Sequence, residues 1–370
     1  MNTWFRFACL GLTVGITAIA AASDDALSLL RRALDATYRV NARKIVVYTS
    51  DTYENGTLSV SVLQARSGEV LTTVVQPLSM QGLKTMDDGK VLKSYCPDQK
   101  KVWLQESPRA HQPDTDYRLA IAQRNYSFVE ERTDQTVAGR RIRLVVAKPK
   151  NRELPTRHYF IDRETPVILR IETVDRVGQV ARVMDTRSVE YPEEVSRVAF
   201  RALPESIKPE PVGVPMRTTA AQVGNKVDFQ PHIPSRLALG FQIEGVDIIR
   251  EKGQNLVALR ITDGLTTGTI YLWDPKERVN VLNTPGSLER QVDGMMVRVI
   301  GDLPTQAKER LLQAFSAKAW DSFLHREPKI EPTALANAYA AAKAAGVLPN
   351  GPVNRPIEVT IQFDLTGGGN

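Results

Sequence analysis

Between residues 44 and 107 the chain reads as one short strand after another: "KIVVYTSDTY", "TLSVSVLQAR", "EVLTTVVQPL", "QGLKTMDDG", "KVLKSYCPD" and "KKVWLQES". The turn pairs Asn55-Gly56, Ser67-Gly68, Asp88-Gly89 and Pro97-Asp98 separate them at the spacing an antiparallel meander requires. Ahead of them, "SDDALSLLRRALDATYRV" sets Leu27, Leu30, Leu34 and Tyr38 at helical spacing behind Ser23, Asp24 and Asp25, acids that suit a helix start. An apolar helical stripe must cover something, and the meander supplies it: the pattern predicts a curved sheet wrapped on a helix. After a polar loop from Ser107 to Asp116 and a short helix predicted over Tyr117 to Gln123, alternation returns. "YSFVEERTDQTVAGRRIRLVVAKP", "TRHYFIDRETPVILRIETVD" and "GQVARVMDTRSVEY" are expected to continue the same sheet.

Pro204, Pro209, Pro211, Pro215, Pro231 and Pro234 then crowd one stretch. Proline removes a ladder donor, so this stretch is expected to avoid strand pairing and to form an extended linker. The resulting reading is α+β throughout: residues 1–22 a signal peptide, 23–203 the first domain, 204–235 the linker, 236–326 a smaller α+β domain and 327–370 a C-terminal extension. In the smaller domain "LVALRITDGLTTGTIYLWDP" is a hairpin closed at Asp263-Gly264, where the chain needs residues tolerant of positive φ. It is accompanied by "FQIEGVDIIRE", "RVNVLNTPG", "MMVRVIGDLP" and a helix, "TQAKERLLQAFSAKAW". The extension holds an alanine-rich helix former, a strand-like "RPIEVTIQFDL" and a loose "TGGGN".

With 42% hydrophobic and 24% charged residues the composition is that of an ordinary soluble protein, so the first residues stand out. Arg6 followed by "FACLGLTVGITAIAAAS" has the cationic start, short apolar run and small residues of a secretory signal, with cleavage expected near Ala22. The run falls below the ~20 residues a membrane span prefers. The expected location is the periplasm or another exported compartment. Beyond the signal only Cys96 remains, which rules out an internal disulfide. The formal net charge of +6 is spread in pairs such as Arg31-Arg32 and Arg140-Arg141, without the run that tracks phosphates. Nucleic acid is therefore not expected as a partner, and an anionic lipid or an acidic peptide suits the surface better. Asn55-Gly56-Thr57 and Asn125-Tyr126-Ser127 fit the glycosylation sequon.

Little chemistry is signalled. His111, His158, His232 and His325 fall in four separate segments, with no ligand pair at metal spacing. No nucleophile elbow, phosphate loop or dinucleotide fingerprint occurs, and Asp87-Asp88 beside Gly89 reads as a hairpin turn rather than a carboxylate pair. Neither an enzyme, nor a cofactor, nor a metal is expected. If the helix fills the curved sheet incompletely, its inside is an apolar cavity, for which Val60, Val62, Leu92 and Trp103 are the candidate lining residues. Hairpin tips are ordinarily exposed, so Arg260, Thr266 and Thr267 are the candidate partner contacts.

These segments resemble a known family. "ALSLLRRALDATYRVNARKIVVYTS", "DDGKVLKSYCPDQKKVW", "NYSFVEERTDQTVAGRRIRLVVAKP" and "HYFIDRETPVILRIETVDRVGQV" are similar, in order, to the N-terminal domain of the sigma-E regulatory proteins RseB/MucB. "LRITDGLTTGTIYLW" and "VRVIGDLPTQAKERLLQAF" are similar to the hairpin and the strand-helix pair of that family's C-terminal domain, with Thr262 in place of the usual Ser and Gly268 interrupting the strand. The resemblance implies a first domain of the lipoprotein-carrier (LolA-like) half-barrel fold. It also implies a periplasmic regulator in the envelope stress response that holds the periplasmic part of a membrane anti-sigma factor and is released by lipid or lipopolysaccharide. The alternative is a lipid or lipoprotein carrier of the related one-domain fold, and an exported enzyme whose distant carboxylates converge in space ranks behind it.

Overall fold

The computed structural model describes residues 25–49, 56–111, 114–201, 203–204, 206–211, 215–251, 254–276 and 286–316. The signal segment, residues 327–370 and most of "RVNVLNTPG" lie outside the described residues. Helix α1 (25–36) precedes β1 (Ala42–Thr49), β2 (Thr57–Gln64), β3 (Val70–Gln76), β4 (Lys84–Asp87), β5 (Val91–Cys96) and β6 (Lys101–Glu106). Helix α2 (Thr115–Asn125) leads into β7 (Tyr126–Glu131), β8 (Thr136–Val137), β9 (Arg140–Pro149), β10 (Thr156–Asp162), β11 (Ile168–Val174) and β12 (Val180–Glu190). Asp114 caps α2 by accepting from the Asp116 amide, so the predicted short helix starts two residues earlier than its apolar pattern does.

The two runs of hairpins form one sheet because β1 pairs antiparallel with β12; with the edge strand β13 (Glu210–Pro211) the order is β13-β6-β5-β4-β3-β2-β1-β12-β11-β10-β9-β7, with β8 beside β9. Of the stripe predicted from spacing, Leu30 is buried and Leu27 and Leu34 are half-buried, packing with Leu29 and Ala33 onto Phe128, Val145, Tyr159 and Ile161 of β7, β9 and β10, whereas Tyr38 falls past the helix end and is 37% exposed. The helix therefore covers the second half of the sheet and only overhangs the first.

The proline-rich stretch corrects the expectation of an unpaired linker. β13 (Glu210–Pro211) pairs parallel with β6, and β14 (Met216–Thr218) pairs with β15 (Gln242–Glu251). Both are short edge strands, where proline is tolerated because one side of the strand needs no donor. The connector is thus stitched to both sheets. The second sheet runs β14-β15-β16-β17-β19-β18, with β16 (Gln254–Thr262), β17 (Thr267–Trp273), β18 (Leu288–Val292) and β19 (Met295–Gly301). Helix α3 (Thr305–Gln313) buries Ala307, Leu311 and Leu312 against it. Gly268 does not interrupt β17: it pairs with Ile261 and Gly301, and a β-carbon there would lie 3.0 Å from the Ile300 carbonyl oxygen. Among the described residues no helix is long and apolar enough to cross a membrane.

Candidate functional site

Where α1 overhangs the first half of the sheet, a cavity of about 380 Å³ remains. The side chains of a strand alternate between its faces, so Lys44, Val46 and Tyr48 of β1 and Val62 and Gln64 of β2 reach the same concave side. Leu34, Thr37 and Tyr38 close the space from the end of α1. Much of the wall is small or polar, with Thr72, Thr85 and Thr186 among its residues, which is why the helix and sheet do not fill it. Of the residues put forward from sequence, Val62 and Leu92 line this space. Val60 shares their side but is packed into a cluster with Val46, Val62 and Val74. Trp103 is half-buried on β6, opposite Ser94 and Glu210, and is outside the lining. These two are corrections: Val60 is filled core because neighbouring valines close over it, and Trp103 sits too near the sheet edge.

The cavity holds two ionised groups of opposite fate. Asp87 receives Arg109 Nε at 2.9 Å on Oδ2 and Arg109 Nη2 at 3.0 Å on Oδ1. Burial raises the Asp87 carboxyl, but the hydrogen bonds from Arg109 and the Gly89 amide outweigh it and hold it below the usual range. Arg109 also lies over the Tyr38 ring, 4.5 Å from its centre. Asp88 accepts from the Lys90 and Val91 amides, so the adjacent acids build a turn, as their place beside Gly89 suggests. Lys44, by contrast, is lowered to about 8 by burial alone. Nothing in its sequence neighbourhood advertises this except its parity with Val46 and Tyr48.

The second region of interest is where the Asp263-Gly264 hairpin goes, and it overturns the expectation of an exposed tip. Thr262 and Asp263 are fully buried and Thr266 nearly so, because the turn is pressed against α2 of the first domain. Gly264 has φ +97°, and a β-carbon there would lie 2.3 Å from the Ala122 amide nitrogen and 2.5 Å from the Arg118 carbonyl oxygen. Asp263 Oδ1 accepts from the Leu265 and Thr266 amides at 2.9 and 2.7 Å, while Oδ2 accepts from the Tyr126 hydroxyl at 2.6 Å. Asn125 Nδ2 donates to the Asp263 and Gly240 carbonyls. That amide is committed to the junction, which leaves the second sequon without a free acceptor.

Thr262 Oγ1 donates to the Thr266 carbonyl and accepts from the Gly264 amide, a task any hydroxyl at this place performs. Burial and the adjacent Asp263 carboxylate push the Tyr126 hydroxyl far up, so it stays protonated and donates. Burial works against the charge of Arg157, yet the nearby Asp263 and Asp302 carboxylates favour it. Of the partner candidates, Thr266 is therefore enclosed, Arg260 is half-buried and ion-paired with Asp247 (3.1 Å), and Thr267 alone is exposed. An apolar cluster continues through the junction, from Leu119 and Ala122 of α2 to Leu259, Ile261 and Ile270 of the second sheet. Among the described residues no group of histidine, cysteine and carboxylate side chains could hold a metal ion.

Fold and cavity together define a class: a curved antiparallel sheet wrapped on a helix, with a hollow inside it, fused to a small α+β domain. Residues 25–204 match the MucB/RseB N-terminal domain, which assigns the first domain to the RseB/MucB family. Three of the solved structures similar to the chain are the following. A crystal structure of MucB is 17% identical with a TM-score of 0.50, covering 79% of this chain and 98% of that one. The Pseudomonas aeruginosa MucA/MucB complex is 16% identical with a TM-score of 0.52, over 79% and 98%. MucB in complex with MucA(peri) is 15% identical with a TM-score of 0.53, over 79% and 97%. At such identities the likeness speaks for the fold alone. No curated protein matches the sequence.

Proposed function

We propose that this is an exported regulatory binding protein that holds the periplasmic segment of a membrane anti-sigma factor and senses lipid through the cavity of its first domain. The observation that carries the reading is that the fold runs through both domains of MucB, nearly the whole of that protein, including structures in which MucB is seated on MucA. A carrier built on the first domain alone leaves the second sheet and the buried junction without a role. The signal-like start supports export.

The test is capture from detergent-solubilised membranes with the mature protein as bait. The expected result is recovery of a single-span anti-sigma factor, with release on addition of lipid. Recovery of an outer-membrane lipoprotein receptor instead would favour the carrier reading. Thr267, the exposed member of the hairpin candidates, remains a proposed contact: Thr267→Glu is expected to weaken capture without changing the melting temperature. Leu92→Asp is expected to abolish binding of a fluorescent fatty acid with an unchanged circular dichroism spectrum.

A further inference from the structure

We propose that the cavity takes a single acyl chain bearing an anionic head, and that Lys44 is the residue that holds the head. This rests on the reading of the cavity as a lipid site and names what that site selects. Lys44 is the one cation among the lining residues, and Asp87 the one carboxylate. Asp87 is already engaged through both oxygens by Arg109, and among the described residues no carboxylate pairs with Lys44. Tyr38 from the end of α1 and Tyr48 from β1 are the other titratable groups on the wall.

Lys44 shares the wall with Val62, Leu92, Ile168, Ile171 and Met184 and with neutral polar groups such as Gln64 and Thr72, none of which balances its charge, and an ionised group withdrawn from water is disfavoured unless it is paired. The lowering of its pKa by burial with no offsetting acid reports the same imbalance. An anion brought in from outside removes it. Size narrows the ligand further: small-molecule sites run from ~300 to ~1,000 Å³, and about 380 Å³ stands at the low end, room for one chain and not several. Carboxylate and phosphate heads meet the requirement equally.

The experiment compares binding of dodecanoate, dodecyl phosphate and dodecanol, each below its micelle concentration, to the full mature protein and to Lys44→Met and Lys44→Arg. The expected result is that at least one anion binds about tenfold tighter than dodecanol, the ~1.4 kcal/mol order of a charge-assisted contact. Lys44→Met should erase that preference while keeping dodecanol binding, and Lys44→Arg should keep it. The tighter anion then identifies the head. Equal binding of all three to the wild type, or a preference that survives Lys44→Met, overturns the role of Lys44 and leaves the cavity reading standing. If none of the three binds the wild type, the lipid reading of the cavity fails and this inference with it. Circular dichroism of each variant separates loss of the head site from loss of the fold.

Discussion

The cavity and the domain junction both border the first sheet and end up opposite in character. In the cavity a helix overhangs threonines and leaves a half-buried lysine without a counter-charge. At the junction a glycine is pressed onto a helix backbone, and one carboxylate serves two amides and a tyrosine at once. An interior close-packed like the junction resists change, whereas a hollow with an unpaired charge changes when something enters. The difference teaches where this fold is rigid and where it is receptive.

The sharpest way to break that contrast is at Gly264. Gly264→Val meets both a positive φ and a backbone contact that cannot retreat, so it should cost roughly 4 kcal/mol or more, read as a lowered urea midpoint. Asp263→Ala should follow at about 3 kcal/mol, since it removes the partner of a buried hydroxyl and leaves Arg157 with less compensation. A smaller step is Tyr126→Phe, where one buried hydrogen bond is lost and the ring remains, for about 1 to 2 kcal/mol. If these three cost no more than surface substitutions, the junction is loosely seated and the contrast falls.

The cavity side is probed by pH. Lys44 titrates near 8 in the folded protein against an ordinary 10.5. Below pH 8 it is charged in both the folded and the unfolded chain, and its burial cost is constant. Between 8 and 10.5 the folded chain gives up the proton while the unfolded chain retains it, so stability rises with pH through that window. Lys44→Met should lack this rise, and its advantage over the wild type in urea midpoint should shrink from pH 7 to pH 10. Smallest of all, Cys96→Ser should move the midpoint by no more than about 0.5 kcal/mol, with no effect of reductant, because Cys96 is a free, half-buried thiol at a strand end.

Much of the architecture was readable in the chain because it is local. Alternation and Gly-bearing turns announce β1 to β6, and the leucine spacing of α1 announces the face that is buried. Val62 and Leu92 followed from the same alternation. What escaped is long-range. The Tyr126 to Asp263 bond joins residues 137 apart, and no local pattern distinguishes a hairpin tip that meets solvent from one that meets a helix. Val60 and Trp103 share a periodicity with the true lining, and what separates them from it is the packing of neighbouring valines around Val60 and the place of Trp103 near the sheet edge. Lys44 could have been found: in "KIVVY" it falls in step with Val46 and Tyr48, a charge on the side where the pattern calls for an apolar residue.

The double service of Asp263 has one more consequence. The carboxylate that shapes the turn of β16 and β17 is the same one that receives Tyr126, and Gly264 fits only against the backbone of α2. The natural unit of exchange between relatives is therefore not the second domain cut at its proline-rich connector. A graft that joins this second domain to another member's first domain needs α2 and Tyr126 to travel with the hairpin, and chimaeras that divide them should be recovered misfolded while those that keep them together survive.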